Sequence, residues 1–413
     1  TQVNGNKAFW NGGGIFNSTS AGITAGTLNN LHNVSFLDNV ADSDHNDSGN
    51  GGAIFNDGML GIMDAGSIIT TNTAYQGGGI YNKFGGVVTT IDNSHIDDNS
   101  AANIGGGVYN DGTITTINIS TINTNTASDG GGGIYNYTNG TLGTISSTTI
   151  DGNDGALGNG SGGGGGIFNN GSIDNITASF ITNNSAVFGG GIANNGLAIN
   201  LIDSTGFDGN HSDNEGGAIY NNGMQGVPVA FNNLTFINNI ADFDGDNVGN
   251  GGAIYNIGLV NMNGGVIGSG NKAFDGGGIY NDTLGNIAIS NNLKFSYNVA
   301  THDGGGLYNK GLISSLHNTN FRGNTSNNDG GGLYNIGVLQ GLSGLGFYDN
   351  TADADGNNVG NGGGIFNDAS GLGTFDYNTF TNNKAANGGG VYGASLSSMD
   401  FQNSVFTANT AID

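Results

Sequence analysis

The 413-residue chain contains 83 glycines, one proline and no cysteine, which excludes a collagen helix and a disulfide-stapled scaffold. Acidic residues outnumber basic ones 32 to 7, and the net charge of −25 opposes binding to nucleic acid or to an anionic membrane surface. No apolar run approaches the length of a membrane span, so we expect no membrane insertion.

The first repeated element along the chain is an apolar residue followed three places later by asparagine. Its copies include, in chain order, Val3/Asn6, Phe36/Asn39, Ile96/Asn99, Phe180/Asn183, Phe321/Asn324 and Phe406/Asn409. The copy that ends at Asn271 is irregular. Phenylalanine in this element is predicted to fill the core.

The second repeated element is Gly-Gly-Gly-Ile-Tyr-Asn, as at residues 276–281, which occurs fourteen times with light variation. The apolar fourth position falls at Ile15, Ile54, Ile80, Val108, Ile134, Ile167, Ile192, Ile219, Ile254, Ile279, Leu307, Leu333, Ile365 and Val391. A base interval of about 26 residues with occasional insertions is typical of a solenoid, in which each repeat packs on its neighbours.

Between the two elements lies a segment with Ile, Leu or Val at intervals of about three, as at Ile114 and Ile117. Each coil therefore has three short apolar segments bounded by Gly and Asn, which indicates strands, and the spacing is too short for crossover helices. We predict an all-β fold, a right-handed parallel β-helix of about 14 coils of roughly 26 residues with three short strands per coil. Because the repeat runs from end to end, residues 1–413 are predicted to form a single domain.

Strand alternation places the isoleucine and the asparagine of the second element on one face and the aromatic residue on the other. Isoleucine then fills the interior, and the asparagines, stacked at the coil spacing, form a ladder of amide hydrogen bonds. The glycines permit positive φ and close backbone approach.

Longer coils carry insertion loops near residues 41–50, 151–162, 241–250 and 352–361. Three of these loops have the same sequence pattern, in which aspartate occupies every second position. These aspartates are Asp42 and Asp44 in the first loop, Asp242, Asp244 and Asp246 in the loop at 241–250, and Asp353 and Asp355 in the last. Calcium takes several oxygen ligands at once, so the spacing indicates calcium sites, and no other cofactor is expected. The alternative is an ordinary acidic, solvated loop.

The aromatic position of the second element is predicted to form an outward-facing stripe. Its tyrosines are Tyr81, Tyr109, Tyr135, Tyr220, Tyr255, Tyr280, Tyr308, Tyr334 and Tyr392. The preference for tyrosine is typical of a position with one wet side, and such a stripe could stack glycans or a neighbouring molecule. The alternative is that the rings stack on one another and shield the ladder.

The paired motifs Gly-Gly-Ala-Ile, at residues 51–54, 216–219 and 251–254, and Phe-x-x-Asn resemble the repeats of the chlamydial polymorphic outer membrane proteins. They are also similar to the repeats of bacterial right-handed β-helix adhesins, and the resemblance covers essentially the whole chain. It implies an adhesive or structural module that is extracellular or at the cell surface.

Catalysis is not expected from this sequence. The single arginine, Arg322, has no other basic residue beside it that could complete a lyase site, and the histidines show no metal-ligand spacing. A glycosidase needs carboxylates that converge from neighbouring coils, but the nearest approximations, Asp97-Asp98 and His302-Asp303, are not repeated in adjacent coils. A polysaccharide lyase or hydrolase and a carbohydrate-binding adhesin that uses the aromatic stripe are kept as alternatives.

The chain begins and ends on the same element in the same phase, at Val3, Asn6 and Ala8 and at Phe406, Asn409 and Ala411. Neither end of the sequence contains a recognisable cap, so we expect head-to-tail stacking of this chain into filaments. The alternative is that capping segments belong to a longer protein. The sequence thus predicts an extracellular structural or adhesive protein whose main partner is itself.

Overall fold

The computed structural model describes residues 1–18, 26–44, 46–155, 162–224, 226–368, 373–394, 397 and 399–411. These residues form strands joined by turns and bends, and no helix occurs among them. The chain divides into two compact units, Thr1–Gly206 and Phe207–Asp413, and each unit is an all-β parallel solenoid. The predicted fold class is therefore confirmed, while its right-handed sense stays a prediction.

Unit 1 has four columns of strands, and within a column each strand pairs in parallel with its equivalent in the next coil. The IYN column, named for its Ile-Tyr-Asn-like strands, contains Ile15–Asn17, Ile54–Asn56, Ile80–Asn82, Val108–Asn110, Ile134–Asn136, Ile167–Asn169 and Ile192–Asn194. The middle column contains Thr27–His32, Met59–Asp64, Val87–Asp92, Thr113–Asn118, Thr141–Ser146, Ser172–Thr177 and Ala198–Asp203. The FxxN column, formed by the apolar-x-x-Asn element, contains Gln2–Asn4, Ser35–Leu37, Ile68–Thr70, His95–Asp97, Thr121–Asn123, Thr149–Asp151 and Phe180–Thr182. A fourth column of two-residue strands contains Thr73–Ala74, Ser100–Ala101, Thr126–Ala127, Asp154–Gly155 and Ser185–Ala186.

Unit 2 has the same columns, but three of its coils join the middle and FxxN strands into one, at Val229–Ile237, Leu259–Ile267 and Asn286–Ser296. Its IYN column contains Ile219–Asn221, Ile254–Asn256, Ile279–Asn281, Leu307–Asn309, Leu333–Asn335, Ile365–Asn367 and Val391–Gly393. The separate middle strands are Leu312–Ile313, Leu316–His317, Val338–Leu339, Leu342–Ser343, Gly373–Asp376 and Met399–Gln402. The separate FxxN strands are Gly206–Asp208, whose first residue belongs to unit 1, Asn320–Arg322, Gly346–Tyr348, Thr379–Thr381 and Val405–Thr407. The fourth column contains His211–Ser212, Lys272–Ala273, Val299–Ala300, Thr325–Ser326, Lys384–Ala385 and Thr410–Ala411.

The fourth column was not among the three strands per coil that the sequence predicts. It follows the buried asparagine of the apolar-x-x-Asn element, and its strands are too short to show a periodicity in sequence. Residues at the corners that flank the FxxN strands have positive φ, and many of them are not glycine, for example Asn93 at 42° and Asp98 at 56°. Asparagine and aspartate tolerate this conformation better than other non-glycine residues, which explains their frequency at these corners.

The glycines before the IYN strands have different physical roles, as the triplet that begins at Gly304 shows. Gly304 has a φ of +68°, where a side chain would be strained. A Cβ atom on Gly305 would lie 2.4 Å from the carbonyl oxygen of Thr325, and one on Gly306 would lie 2.6 Å from that of Gly332. The first glycine is therefore needed for the turn and the second for the close stacking of coils, whereas the third position also accepts alanine, at Ala53, Ala218 and Ala253.

The core of unit 2 contains stacked phenylalanine rings from the FxxN column. Phe295, Phe321, Phe347 and Phe380 are fully buried, and neighbouring ring centroids lie 4.5 to 4.9 Å apart. The prediction that phenylalanine fills the core is confirmed at these positions.

One assignment of this element, Phe180/Asn183, is wrong by one residue. The buried pair is Ile181 and Asn184, whereas Phe180 is 60% exposed and Asn183 occupies a positive-φ corner. Both apolar residues fit the three-residue spacing approximately, and isoleucine is the side chain that aligns with the isoleucines of the neighbouring coils.

Two asparagine ladders stabilise each unit, and the one in the IYN column confirms the prediction. In the IYN column the side-chain Nδ2 atom of one asparagine donates to Oδ1 of the next, for example from Asn82 to Asn110 and from Asn281 to Asn309, both at 2.8 Å. In the FxxN column the next Oδ1 accepts both a backbone N–H and an Nδ2 donor, as where Asn99 donates both to Asn125. These amides are buried, so the ladder satisfies polar groups that would otherwise be costly to remove from water.

A third polar column, which the sequence analysis missed, lies at the corner between the middle and FxxN strands. In unit 1 the backbone N–H of Ser94 donates to Oγ of Ser120 at 3.2 Å, and that of Thr148 donates to Oγ of Ser179 at 3.2 Å. These hydroxyl residues are buried. The signal that could have revealed this column is a serine or threonine two places before the apolar residue of most FxxN strands of unit 1, such as Ser94 before Ile96 and Ser120 before Ile122.

Candidate functional site

The tyrosines of the IYN column stack face to face in both units. Neighbouring ring centroids lie 4.5 to 5.9 Å apart from Phe16 to Phe168 and 4.6 to 5.5 Å apart from Tyr220 to Tyr392. Because the spacing of hydrogen-bonded strands is close to the stacking distance of aromatic rings, each ring covers its neighbour.

The expectation that these tyrosines form an exposed stripe is corrected by this stacking. Five are buried, Tyr109, Tyr135, Tyr255, Tyr280 and Tyr308, and four are half-buried, Tyr81, Tyr220, Tyr334 and Tyr392. The ring faces are occupied by other rings, so a glycan would meet ring edges and hydroxyl groups instead. Glycan binding by this column stays a prediction.

Burial changes the acidity of the tyrosine hydroxyl groups. It raises the pKa of Tyr135 to about 12, although the hydrogen bond from Asn170 opposes the shift. Burial also raises the pKa of Tyr109 and, together with Asp282, that of Tyr255, whose hydroxyl donates to the Asp282 carboxylate. These phenols stay protonated at neutral pH; the hydroxyl of Tyr255 donates a hydrogen bond to Asp282, whereas the Tyr135 oxygen accepts one from Asn170.

The insertion loop at 241–250 brings together the three aspartates predicted from its sequence. One carboxylate oxygen from each of Asp242, Asp244 and Asp246 lies within 4.8 Å of the others. Asp242 accepts the backbone N–H of Asn247 at 2.9 Å, and Asp246 accepts that of Val248 at 3.0 Å. Burial and the two neighbouring carboxylates raise the pKa of Asp242.

In the loops near 41–50 and 352–361 the first aspartate also accepts a backbone N–H, but neither loop has a carboxylate at the position of Asp246. Asp42 accepts the N–H of Asn46 at 3.0 Å, and Asp353 accepts that of Asn358 at 3.0 Å. Asn46 and Asn357 occupy the position that Asp246 has in the loop at 241–250. The amide of Asn46 donates to Asp44, and that of Asn357 donates to Asp355. Residues 156–161 of the loop near 151–162 lie outside the described residues, and so does residue 45 of the loop near 41–50.

A second titratable cluster, on unit 2, adds Asp275 and Asp329 to the His302-Asp303 pair noted in the sequence. The residue before each glycine triplet forms a column, and in successive coils it is Asp275, Asp303 and Asp329. Nδ1 of His302 lies 2.8 Å from Oδ1 of Asp275 and 3.2 Å from Oδ2 of Asp303. The sequence signal for this cluster was the repetition of aspartate at one position of three successive coils.

The electrostatics of this cluster reflect a shortage of positive charge. Burial raises the pKa of Asp303 to about 7, although the N–H of Asp329 and the nearby His302 oppose the shift. The hydrogen bond to Asp275 raises the pKa of His302, and Asp303 adds to that effect. Burial likewise raises the pKa of Asp329. The buried Asp303 carboxylate is therefore paired either with a proton or with another cation.

The residues predicted for self-assembly lie in the first and last coils. Val3 pairs with Phe36, Asn6 donates to Oδ1 of Asn39 at 2.8 Å, and Ala8 donates its N–H to Val40. In the last coil, Phe406 stacks on Phe380 at 4.5 Å and is 48% exposed, Asn409 accepts from Asn383 at 2.9 Å, and Ala411 pairs with Ala385.

The family model of the Chlamydia polymorphic membrane protein repeat matches residues 33–57, 207–222 and 233–257. Each matched segment contains an apolar-x-x-Asn element and a Gly-Gly-Ala-Ile motif. The resemblance drawn from those two motifs is thus confirmed. No curated protein and no solved structure matches this chain. Within the described ranges there is no helix with the length and apolar character needed to span a membrane.

Proposed function

We propose that this chain is an extracellular structural or adhesive module displayed at a cell surface. The observation that carries the proposal is the match of three segments to the Chlamydia polymorphic membrane protein repeat. The matched elements are the ones that provide the ladder asparagines and core side chains of the coils. A stack of such coils presents loops and strand faces on a scaffold that needs no disulfide or bound cofactor to hold its shape.

Surface display is tested with antibodies raised against residues 1–413. We expect them to label intact cells of the source organism as strongly as permeabilised cells, with an intracellular marker that stains only after permeabilisation as the control. Labelling that requires permeabilisation would exclude this location. Adhesion is tested separately, by asking whether beads coated with the chain bind host or neighbouring cells and beads coated with bovine serum albumin do not.

Within this role, the chain is proposed to stack head to tail into filaments. The FxxN ladder has a direction, since each asparagine donates towards the next coil. Asn409 has donors facing onward, and Asn6 has an Oδ1 acceptor facing back, so a second copy placed end to end would continue the ladder in the same sense. A contact of this heterologous kind does not close, and its product is a filament.

The proposal also covers the partners and the activity of the chain. The net charge of −25 disfavours nucleic acid and anionic lipid as partners. The aspartate and histidine clusters described above are proposed to bind cations, and the chain is proposed to have no catalytic activity of its own.

A further inference from the structure

The side chains of Asp275, His302 and Asp303 converge on one point of unit 2. A ligand atom from each lies within 4.8 Å of the other two, and Nδ1 of His302 faces both carboxylates at 2.8 and 3.2 Å. An imidazole nitrogen carries at most one proton, which can be donated well to one carboxylate only. The proton on Nδ1 therefore cannot form good hydrogen bonds to both carboxylate oxygens. A cation bound between the three groups could interact with both oxygens at once.

Backbone hydrogen bonds hold both carboxylates in place, and one of them ends on the same Asp275 oxygen that faces His302. Oδ1 of Asp275 accepts the backbone N–H of Asp303 at 2.9 Å, and Oδ1 of Asp303 accepts that of Asp329 at 2.9 Å. The ring of His302 stacks on Phe274 with centroids 4.7 Å apart and planes 5° from parallel. The coil stacking thus orients the three ligand groups in advance, which lowers the cost of binding an ion.

The charge balance at this point favours an ion of charge greater than one. Asp303 is 6% exposed, Asp329 follows one coil later, and the one positive group that contacts both Asp275 and Asp303 among the described residues is His302. A buried carboxylate without a compensating cation is unfavourable. A divalent ion compensates both carboxylates and leaves the imidazole neutral.

We propose that Asp275, His302 and Asp303 form a binding site for one divalent transition-metal ion of the zinc type. The donor set contains an imidazole nitrogen, which zinc accepts readily and calcium does not prefer. Zinc bonds of about 2.0–2.1 Å to nitrogen and oxygen place neighbouring tetrahedral ligand atoms roughly 3.3 Å apart. The two distances from Nδ1 of His302, 2.8 and 3.2 Å, therefore need to open by about half an ångström or less, and the two carboxylate oxygens already lie within 4.8 Å of each other. The side chain of His302 is 40% exposed, which leaves an open side for a water ligand.

The site is tested by calorimetric titration of the untagged, chelator-treated chain with zinc chloride. The informative variants are Asp303→Asn and His302→Gln, because asparagine already stands in this column at Asn361 and Asn387 and is compatible with the fold. His32→Gln is the matched control, since His32 contacts a single carboxylate, that of Asp64, at an exposed position of unit 1.

We expect the unmodified chain and His32→Gln to take up one zinc ion with equal affinity, and Asp303→Asn and His302→Gln to lose that ion while keeping a native circular dichroism spectrum. Cobalt in place of zinc should give a visible absorption band of tetrahedral type that is absent in Asp303→Asn. The proposal is overturned if the unmodified chain binds no zinc, if Asp303→Asn binds it unchanged, or if calcium at equal concentration displaces it.

Discussion

The side-chain nitrogen of Asn309 lies 2.7 Å from Oδ1 of Asn335, which occupies the same position one coil later. Oδ1 of Asn309 in turn accepts Nδ2 of Asn281 at 2.8 Å. All three side chains are fully buried. Each interior amide is thus bonded to the two on either side of it. Removal of Asn309 breaks both bonds: Nδ2 of Asn281 keeps its longer contacts to the carbonyl groups of Gly285 and Leu312, whereas Oδ1 of Asn335 loses its amide donor.

Replacing Asn309 with alanine should therefore destabilise unit 2 strongly. We expect the free energy of unfolding to fall by about 1–3 kcal/mol or more, the cost of leaving a buried polar group unsatisfied. Asn357→Ala and Asn46→Ala are controls, because both asparagines lie in exposed insertion loops, and we expect changes within about 0.5 kcal/mol there. Denaturant unfolding of the variants gives the comparison, and equal midpoints for the ladder and loop variants would contradict the ladder's energetic role.

The phenylalanine stack of unit 2 should tolerate truncation poorly. Phe321 is fully buried between Phe295 and Phe347, so Phe321→Ala is expected to lower the free energy of unfolding by about 3–5 kcal/mol. Phe321→Leu should cost less, because it leaves a smaller cavity. Phe243→Ala, at a ring that is 51% exposed in the same unit, is the control. A similar loss for Phe243→Ala and Phe321→Ala would show that the stack is not a core.

The fold was predictable because each coil repeats the same apolar and asparagine positions, so an error in one copy is corrected by the others. Where two candidates fit one copy, as with Phe180 and Ile181, the spacing alone did not decide between them. The burial of the tyrosine column was missed for a different reason. Alternation correctly separates Tyr280 from Ile279, but it does not show that rings spaced by one strand cover one another.

The cluster around His302 was missed because its residues are brought together by stacking and not by local spacing. Asp275 lies 27 residues before His302 in the sequence, and only the alignment of coils places it beside the imidazole. By contrast, the three aspartates of the loop at 241–250 are close in sequence, so their proximity could be predicted from it.

The tyrosine column of unit 1 should make stability depend on pH in the alkaline range. Burial raises the pKa of Tyr135 from 10.0 to about 12, and Asp129 and Tyr137 add to the shift. Because the folded pKa lies above the unfolded one, the contribution is complete below pH 10 and is lost as pH rises towards 12. We expect absorbance at 295 nm to show late ionisation of this group and stability to fall across that window.

The control for this pH dependence is Tyr135→Phe, which the column accommodates, since Phe168 and Phe55 occupy the same position in other coils. This variant should lose part of the alkaline dependence while it keeps the ring stack. An unchanged dependence of stability on pH would show that Tyr135 does not contribute to it.

The insertion loop of unit 2 is predicted to bind calcium through Asp242, Asp244 and Asp246. These carboxylates repel one another, and an ion with several oxygen ligands would relieve that repulsion. Calorimetric titration should detect calcium in the unmodified chain and weaker or no binding in Asp246→Asn, which gives this loop the carboxylate pattern of the loop at 352–361. Asp174→Asn, at an exposed aspartate outside the insertion loops, is the control and should leave this binding unchanged. Absence of heat, together with a melting temperature that a chelator does not alter, would exclude a calcium site here.

Filament formation is predicted to depend on the exposed apolar surface of the last coil. Phe406 is 48% exposed and continues the stack of Phe380, so a second copy that contributes Val3 and Asn6 would cover it and extend the FxxN ladder. We expect light scattering and electron microscopy to show concentration-dependent linear assembly of the 413-residue chain. Phe406→Asp should abolish it, because a charge at the contact would be buried without a partner. Phe84→Asp introduces the same charge at a ring that is 64% exposed in an interior coil, so it should assemble normally. A chain that stays monomeric at high concentration, or equal assembly of both variants, would contradict stacking through this surface.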